Sequence, residues 1–218
     1  MVEFVVCTVF KKSNTYNVDT VHKIYNGLYK FNPDVSFMCL SDDDTVPNYT
    51  PLIHNFPTWW SKIELFRKDL FNSNQRVFYI DLDTLIFCNI KDIIPLSGPY
   101  FFKDFNLNTP SSCLMSWTGN ELSFIYDDFV NCKDPMNKRH KINHRQVIYG
   151  DQSWIELCLK KHKTNFKYFQ DIPSLSEEII SWPRNKYTEP SKKKLVCFYG
   201  KEKPWNCTGW AREYYDSI

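Results

Sequence analysis

The segment Val77-Phe78-Tyr79-Ile80-Asp81-Leu82-Asp83-Thr84 constrains this chain more than any other. Four apolar residues in a row read as a strand buried on both faces, too short for a lone helix. Two aspartates two positions apart follow at once, and with the period of a strand Asp81 and Asp83 project to the same side. A carboxylate is costly to bury unless it is paired or binds a metal. The carboxyl end of a parallel strand is also where open α/β sheets place their ligands. The pattern points to a clamp for a divalent cation that holds a diphosphate.

The flanking sequence supplies the rest of such a sheet. Val2 to Val9 reads as a first strand. The spacing of Val18, Val21, Ile24, Tyr25 and Leu28 predicts a helix capped by Asn17 or Asp19. Asn32-Pro33-Asp34 is a turn, and Val35 to Leu40 a second buried strand that also ends in acids, Ser41-Asp42-Asp43-Asp44. A proline-bearing loop from Pro47 to Pro57 precedes a helix marked by Ile63, Phe66 and Leu70. This β-α-β-α-β order implies a parallel sheet with right-handed crossovers. Further on, Ile90 to Ile94 suggests a short helix, Tyr100 to Phe102 and Cys113 to Trp117 strands, and Leu122, Ile125, Tyr126 and Phe129 a helix. Residues 131–146 are polar and basic and read as a loop. Asp151 to Leu159 is a helix with Trp154, Ile155 and Cys158 inward, and Val196 to Tyr199 a last strand before a turn at Gly200. No repeat or linker interrupts the chain. The expectation is one domain over 1–218, with a nucleotide half over about 1–90 and an acceptor half over about 91–218.

Composition narrows the function. With 43% hydrophobic residues in 218, a substantial core is expected, and the composition argues against disorder. Aromatics reach 17%, which suits a Phe-rich core and also stacking surfaces for sugars. A net charge of +2 argues against a nucleic-acid binder, and Lys192-Lys193-Lys194 reads as a solvated face. No apolar run reaches membrane-spanning length, and the segment from Met1 to Val6 lacks a signal-peptide layout. Eight cysteines are scattered without a C-x-x-C, several of them inside apolar runs. They read as buried thiols in a reducing, cytoplasmic setting. Cys132, His140 and His144 are spaced irregularly in a lysine-rich stretch and read as loop residues rather than a zinc site.

Four segments carry a family resemblance. They are Phe78-Tyr79-Ile80-Asp81-Leu82-Asp83-Thr84-Leu85, followed by Asn89-Ile90-Lys91-Asp92; Gly150-Asp151-Gln152; Gly200-Lys201-Glu202-Lys203-Pro204-Trp205; and Trp60-Ser61-Lys62-Ile63-Glu64-Leu65-Phe66. In type and order they resemble the retaining glycosyltransferases of the glycogenin and lipopolysaccharide-galactosyltransferase family. The resemblance spans residues 2 to about 210. It implies a single-domain A-type glycosyltransferase fold, an α/β architecture in which helices flank a mixed, mostly parallel central sheet with a Rossmann-like N-terminal half.

The resemblance also implies roles. Asp81 and Asp83 would hold Mn²⁺ or Mg²⁺, hard cations suited to carboxylate oxygens and to a diphosphate leaving group. Lys203 would meet the phosphates, and Gly200 would let the backbone come close. Asp151 and Gln152 would line the donor sugar as the catalytic pair, with Asp151 also the N-cap of its helix. Thr8, Val9, Phe10 and Tyr16 stand where the family's uridine pocket begins, and Asp42 or Asp43 would take an imide or ribose hydroxyl. Lys62 resembles a sugar- or phosphate-contacting lysine. Ser112, within Ser111-Ser112-Cys113, matches the serine of the family's N-S-G, and Asp104 would contact sugar hydroxyls. The family's third metal ligand, a histidine, falls on Cys197 or Tyr199, neither an ordinary ligand for a hard cation.

The function so implied is metal-dependent transfer of a hexose from a UDP-sugar to a hydroxyl acceptor such as a glycan, with retention of configuration. The basic segment from Cys132 to Arg145 would be a lid or acceptor loop. Two rivals share part of the pattern. A haloacid-dehalogenase-type phosphatase would use Asp81 as nucleophile and Asp83 as acid, with Asp127-Asp128 as acidic partner. It leaves Gly150-Asp151-Gln152 and Lys203-Pro204-Trp205 unexplained. A nucleotide- or carbohydrate-binding module would keep the fold without turnover.

Overall fold

The computed structural model describes residues 4–94, 97–104, 107–137, 140–142, 146–148, 150–182 and 193–218. Strands β1 (Phe4–Phe10) and β4 (Arg76–Ile80) lie side by side and parallel, Val5 opposite Val77 and Cys7 opposite Tyr79. Both are buried along almost their whole length, as unbroken apolar runs must be in a sheet covered on both faces. On the far edge of β1 lies β2 (Ser36–Ser41), also parallel, and then β3 (Tyr49–Pro51). Beyond β4 come β7 (Pro110–Thr118), β6 (Tyr100–Lys103) and β10 (Lys167–Tyr168). The seven strands stand in the order β10-β6-β7-β4-β1-β2-β3, and β7 runs against the rest. This is the mixed, mostly parallel sheet expected from the sequence. The chain lays down β1, β2 and β3 in one direction, then returns across β1 to add β4. That reversal opens a crevice beyond the carboxyl ends of β1 and β4, the usual ligand position in such sheets.

Helix α1 (Val18–Phe31) links β1 to β2. Asn17 caps it as expected: its Oδ1 accepts from Thr20 N at 3.0 Å, and Thr20 Oγ1 accepts from Asn17 N at 3.4 Å. Val21, Ile24 and Leu28 pack on Val6, Phe10 and Phe78. The opposite sheet face carries α2 (Phe124–Val130) and α3 (Asp151–Lys161), whose Phe129, Trp154 and Ile155 meet Val5, Cys7 and Tyr79. The helix expected around Ile63 and Phe66 is a 3₁₀ helix over Thr58–Phe66. Every residue from Trp60 to Phe66 is buried, so packing on all sides, rather than one apolar stripe, sets its geometry.

A second sheet joins β5 (Thr84–Ile86), β12 (Leu195–Phe198) and β11 (Ile179–Trp182), with β5 antiparallel to β12. Helix α4 (Trp210–Ser217) packs against it. Phe198 N donates to Asp83 O at 3.3 Å, which seats β12 beside the Asp81–Asp83 turn.

Several expectations change. The first strand begins within the described residues at Phe4, its earlier positions lying outside them. Ile90 to Ile94 forms turns, with Ile90 N donating to the buried Asn32 Oδ1 at 2.9 Å. Within the segment expected as a loop, β8 (His140–Ile142) and β9 (Gln146–Ile148) pair as an antiparallel ladder, because backbone bonding needs no apolar side chains. His144 and Lys192 lie outside the described residues. All eight cysteines are free thiols. Among the described residues, no helix is long and apolar enough to cross a membrane.

Candidate active site

Where β4 ends, Asp81 N bonds Cys113 O at 2.9 Å and Thr84 N bonds Asp81 O at 3.0 Å. This tight turn carries Asp81 and Asp83 into one cleft of about 240 Å³. A second cleft of about 280 Å³ runs along the β1 end of the crevice. Tyr16 and Asp81 line both, so the two clefts meet across them.

Asp81 belongs to a buried ionic cluster. Lys62 Nζ lies 2.8 Å from Asp81 Oδ1 and 2.9 Å from Asp151 Oδ2. It also donates to the carbonyl and hydroxyl oxygens of Ser112, each at 3.2 Å. Ser112 Oγ in turn donates to Asp151 Oδ2 at 2.7 Å, and the Tyr79 hydroxyl to Asp81 Oδ1. One ammonium thus ties together the 3₁₀ helix, β4, β7 and α3. Burial alone would push the Lys62 ammonium down; Asp151 and Asp81 more than reverse this and hold it above the usual lysine range. Asp151 does not cap its helix. The cap position is Gly150, and the Asp151 carboxylate turns to Lys62 and Ser112 instead of the helix amides. Gly150 has φ +123, a region that disfavours other residues, and a Cβ there would sit 3.1 Å from Trp59 Nε1.

Asp83 has its own partners. It is buried, bonded by Lys203 Nζ and by the Tyr16 hydroxyl at 3.1 Å. Burial first and the charge of Asp81 second push its carboxyl up, with Lys203 and Tyr16 offsetting part of the rise. Tyr16 packs edge-on against Trp205 at 5.4 Å. Burial, then Asp83 and Asp81, raise its hydroxyl well above the usual tyrosine range. Across the same cleft Gln152 Nε2 donates to Asp104 Oδ2 at 3.3 Å.

Other residues singled out by sequence sit further off. Val9 lines the second cleft. Thr8 and Phe10 line neither, because their side chains are fully buried, Phe10 in the α1 core beside Val6. Asp42 accepts from Lys12 N at 3.1 Å and Lys11 Nζ at 3.3 Å, joining the ends of β1 and β2 without lining a cleft. Asp43 caps a turn by accepting from Thr45 N at 3.1 Å. Gly200 is exposed with φ +74, between Tyr199 and the Lys203 turn. Asp127 pairs with Lys68, and Asp128 with Lys161 and His162, so the acidic pair offered for a phosphatase lines neither cleft.

Sequence reading missed Tyr79, although a period of two places it on the face of Asp81. It also missed Trp59, which lines the second cleft, and Ser181, which lines the first with its Oγ buried and unbonded. Ser181 lies on β11, a strand too short to announce itself.

The donor set was weighed against a divalent cation. Asp81 and Asp83 are hard oxygen donors sharing a cleft, and a cation there would offset the burial and, second, the charge of Asp81 that raise Asp83. Cys197 is a buried free thiol beside Cys113, whose hydrogen bond first, with burial second, pushes its thiol up; it is no ligand for a hard ion. Among the described residues no group of three or more His, Cys, Asp and Glu gathers as a metal cluster. Asp81 and Asp83 are the residues whose chemistry suits a hard divalent ion, and they would hold it with water and diphosphate oxygens as its further donors.

No family model and no curated protein matches the sequence. Solved structures do match. The glycosyltransferase GlyE of Streptococcus pneumoniae aligns with 99% of this chain at a TM-score of 0.66 and 12% identity, and the chain spans 60% of the length of GlyE. The galactosyltransferase LgtC in complex with donor and acceptor sugar analogues aligns over 98% of this chain and 96% of its own, at a TM-score of 0.62 and 12% identity. An active-site mutant of LgtC gives 97% and 94%, at a TM-score of 0.61 and 11% identity. At such identities the likeness shows the fold: the chain has the A-type glycosyltransferase fold.

Proposed function

We propose that this protein is a metal-dependent glycosyltransferase that moves a hexose from a UDP-sugar to a hydroxyl of a glycan or similar acceptor, with retention. One observation carries the reading. Asp81 and Asp83 stand together at the carboxyl end of β4, beside the reversal in strand order, each with a lysine against it. Mn²⁺ or Mg²⁺ held by these two carboxylates would, when bound, neutralise charge on the departing diphosphate.

The chain's own residues do the rest. Lys203 turns from Asp83 to the phosphate oxygens as a point charge. Lys62 pairs with both Asp81 and Asp151 and fixes their positions, so the site is organised before the donor arrives. The uridine lies along Val9 and Tyr16, in the crevice past β1. Gln152 and Asp104 bond the sugar hydroxyls and put polar density near the oxocarbenium-like carbon. Asp151 is committed to Lys62 and Ser112, which suits it poorly as a nucleophile. Retention then proceeds by front-face attack, the acceptor hydroxyl giving its proton to the leaving phosphate. One domain, with nucleotide half and acceptor half, in a cytoplasm that keeps the eight thiols reduced, completes the proposal.

The test is a panel of nucleotide sugars assayed for free UDP with Mn²⁺, with Mg²⁺ and with EDTA. Release that needs the metal, and that falls by about two orders of magnitude or more in Asp83→Ala, is the expected result. Turnover undiminished by that substitution sinks the reading. Tight UDP binding without release from any sugar nucleotide would leave a binding module in its place.

A further inference from the structure

Trp59 is out of character with its surroundings. It is the second residue of the 3₁₀ helix, whose next seven residues are all buried, yet Trp59 itself is 55% exposed. Thr58 before it holds φ 49, a left-handed conformation that a β-branched residue adopts only under strain. The Ser61 hydroxyl donates to Thr58 O at 2.7 Å and fixes the bend. The result turns the indole outward, onto the wall of the cleft that ends at Asp81. On its other side the indole Nε1 lies against Gly150, where a Cβ would come within 3.1 Å. A large aromatic plane, more than half open to solvent, is thus held one residue away from Asp151 and two from Gln152.

We propose that Trp59 is the acceptor platform: its indole stacks on the apolar face of a pyranose ring of the incoming glycan and holds one hydroxyl toward the donor sugar. This rests on the glycosyltransferase reading and names the acceptor class for it, a pyranoside. The uridine lies at the Val9 and Tyr16 end of the crevice, and the diphosphate with Lys203. The open indole beside α3 is left for the second substrate, which must enter and leave from solvent each cycle. A pyranose presents a patch of C–H groups on one face and hydroxyls at its rim, which matches an aromatic face flanked by polar side chains.

The test uses Trp59→Ala and Trp59→Phe with lactose, cellobiose and methyl β-galactoside as acceptor probes, and folding is checked by thermal midpoint. The Trp59 indole N–H resonance, assigned by its loss in Trp59→Phe, should shift when a glycan is added to the UDP-loaded protein. The KM for that glycan should rise roughly tenfold in Trp59→Ala and less in Trp59→Phe, while the dissociation constant for UDP moves by less than about twofold. An unchanged glycan KM overturns the proposal. So does a loss of UDP affinity of more than about fivefold, which would make the indole a partner of the nucleobase. If no sugar nucleotide releases UDP even in the wild-type protein, the glycosyltransferase reading fails separately. The resonance then decides alone: a glycan-dependent shift keeps the platform, and none with any probe removes it.

Discussion

Lys62 is the residue on which the ordered part of the site turns. Its ammonium is the shared counter-ion of Asp81 and Asp151; Lys62 and Asp151 are nearly shut off from water, and Asp81 is partly open to the clefts. Removing one member of a buried ionic group strands the others, which costs more than the group contributes when intact. Lys62→Met should therefore lower unfolding stability by roughly 3 kcal/mol or more in urea titrations. The pH dependence has a definite sign. The folded state raises the Lys62 pKa above its ordinary 10.5, so its contribution is fully present below that value and is lost as pH rises through the higher folded one. The gap between Lys62→Met and wild type should stay flat from about pH 6 to about pH 9 and narrow only in strong alkali. A gap that closed near neutrality would show that the lysine is not held charged.

At the scale of elements, the loop before the 3₁₀ helix depends on Glu64. This fully buried carboxylate accepts from Ile53 N at 2.8 Å and His54 N at 3.0 Å, and pairs with Arg67 at 2.9 Å. Glu64→Ala should destabilise by roughly 2–3 kcal/mol and loosen the approach to Trp59, seen as faster amide exchange at Ile53 and His54. How far such elements could be read beforehand follows from what signals them. Helix α1 announced itself through its apolar spacing and Asn17, and β4 through an unbroken apolar run, because each signal is local. The 3₁₀ helix carried no stripe, being packed all round. β3, β5, β10 and β11 are two to four residues long, below any period. In the site, Asp81, Asp83, Gln152 and Lys203 stood out by residue type and order. The partnership of Lys62 with Asp151 did not, since nothing local to either names the other. The turning of Asp151 away from its helix amides was hidden for the same reason.

Over the whole molecule, the site draws on both sheets and on residues from Val9 to Lys203. A ligand bound there fastens distant parts of the chain and favours the folded form by mass action. UDP with Mn²⁺ at about a hundred times its dissociation constant should raise the thermal midpoint by roughly 5–10 °C for a chain of this size, and EDTA should remove much of that gain. A rise with UDP that is indifferent to EDTA would count against the two-carboxylate ion.

The reversed strand β7 has a practical corollary. It starts beside the reacting end, with Ser112, and finishes at Thr118 opposite Arg76, the first residue of β4. Gly119 N then bonds Gln75 O at 2.8 Å, and Asn120 follows, open to solvent. That turn lies at the end of β4 farthest from Asp81. A tether attached at Asn120 would anchor the protein to a solid support with its mouth turned toward the bulk, free to exchange substrate and product.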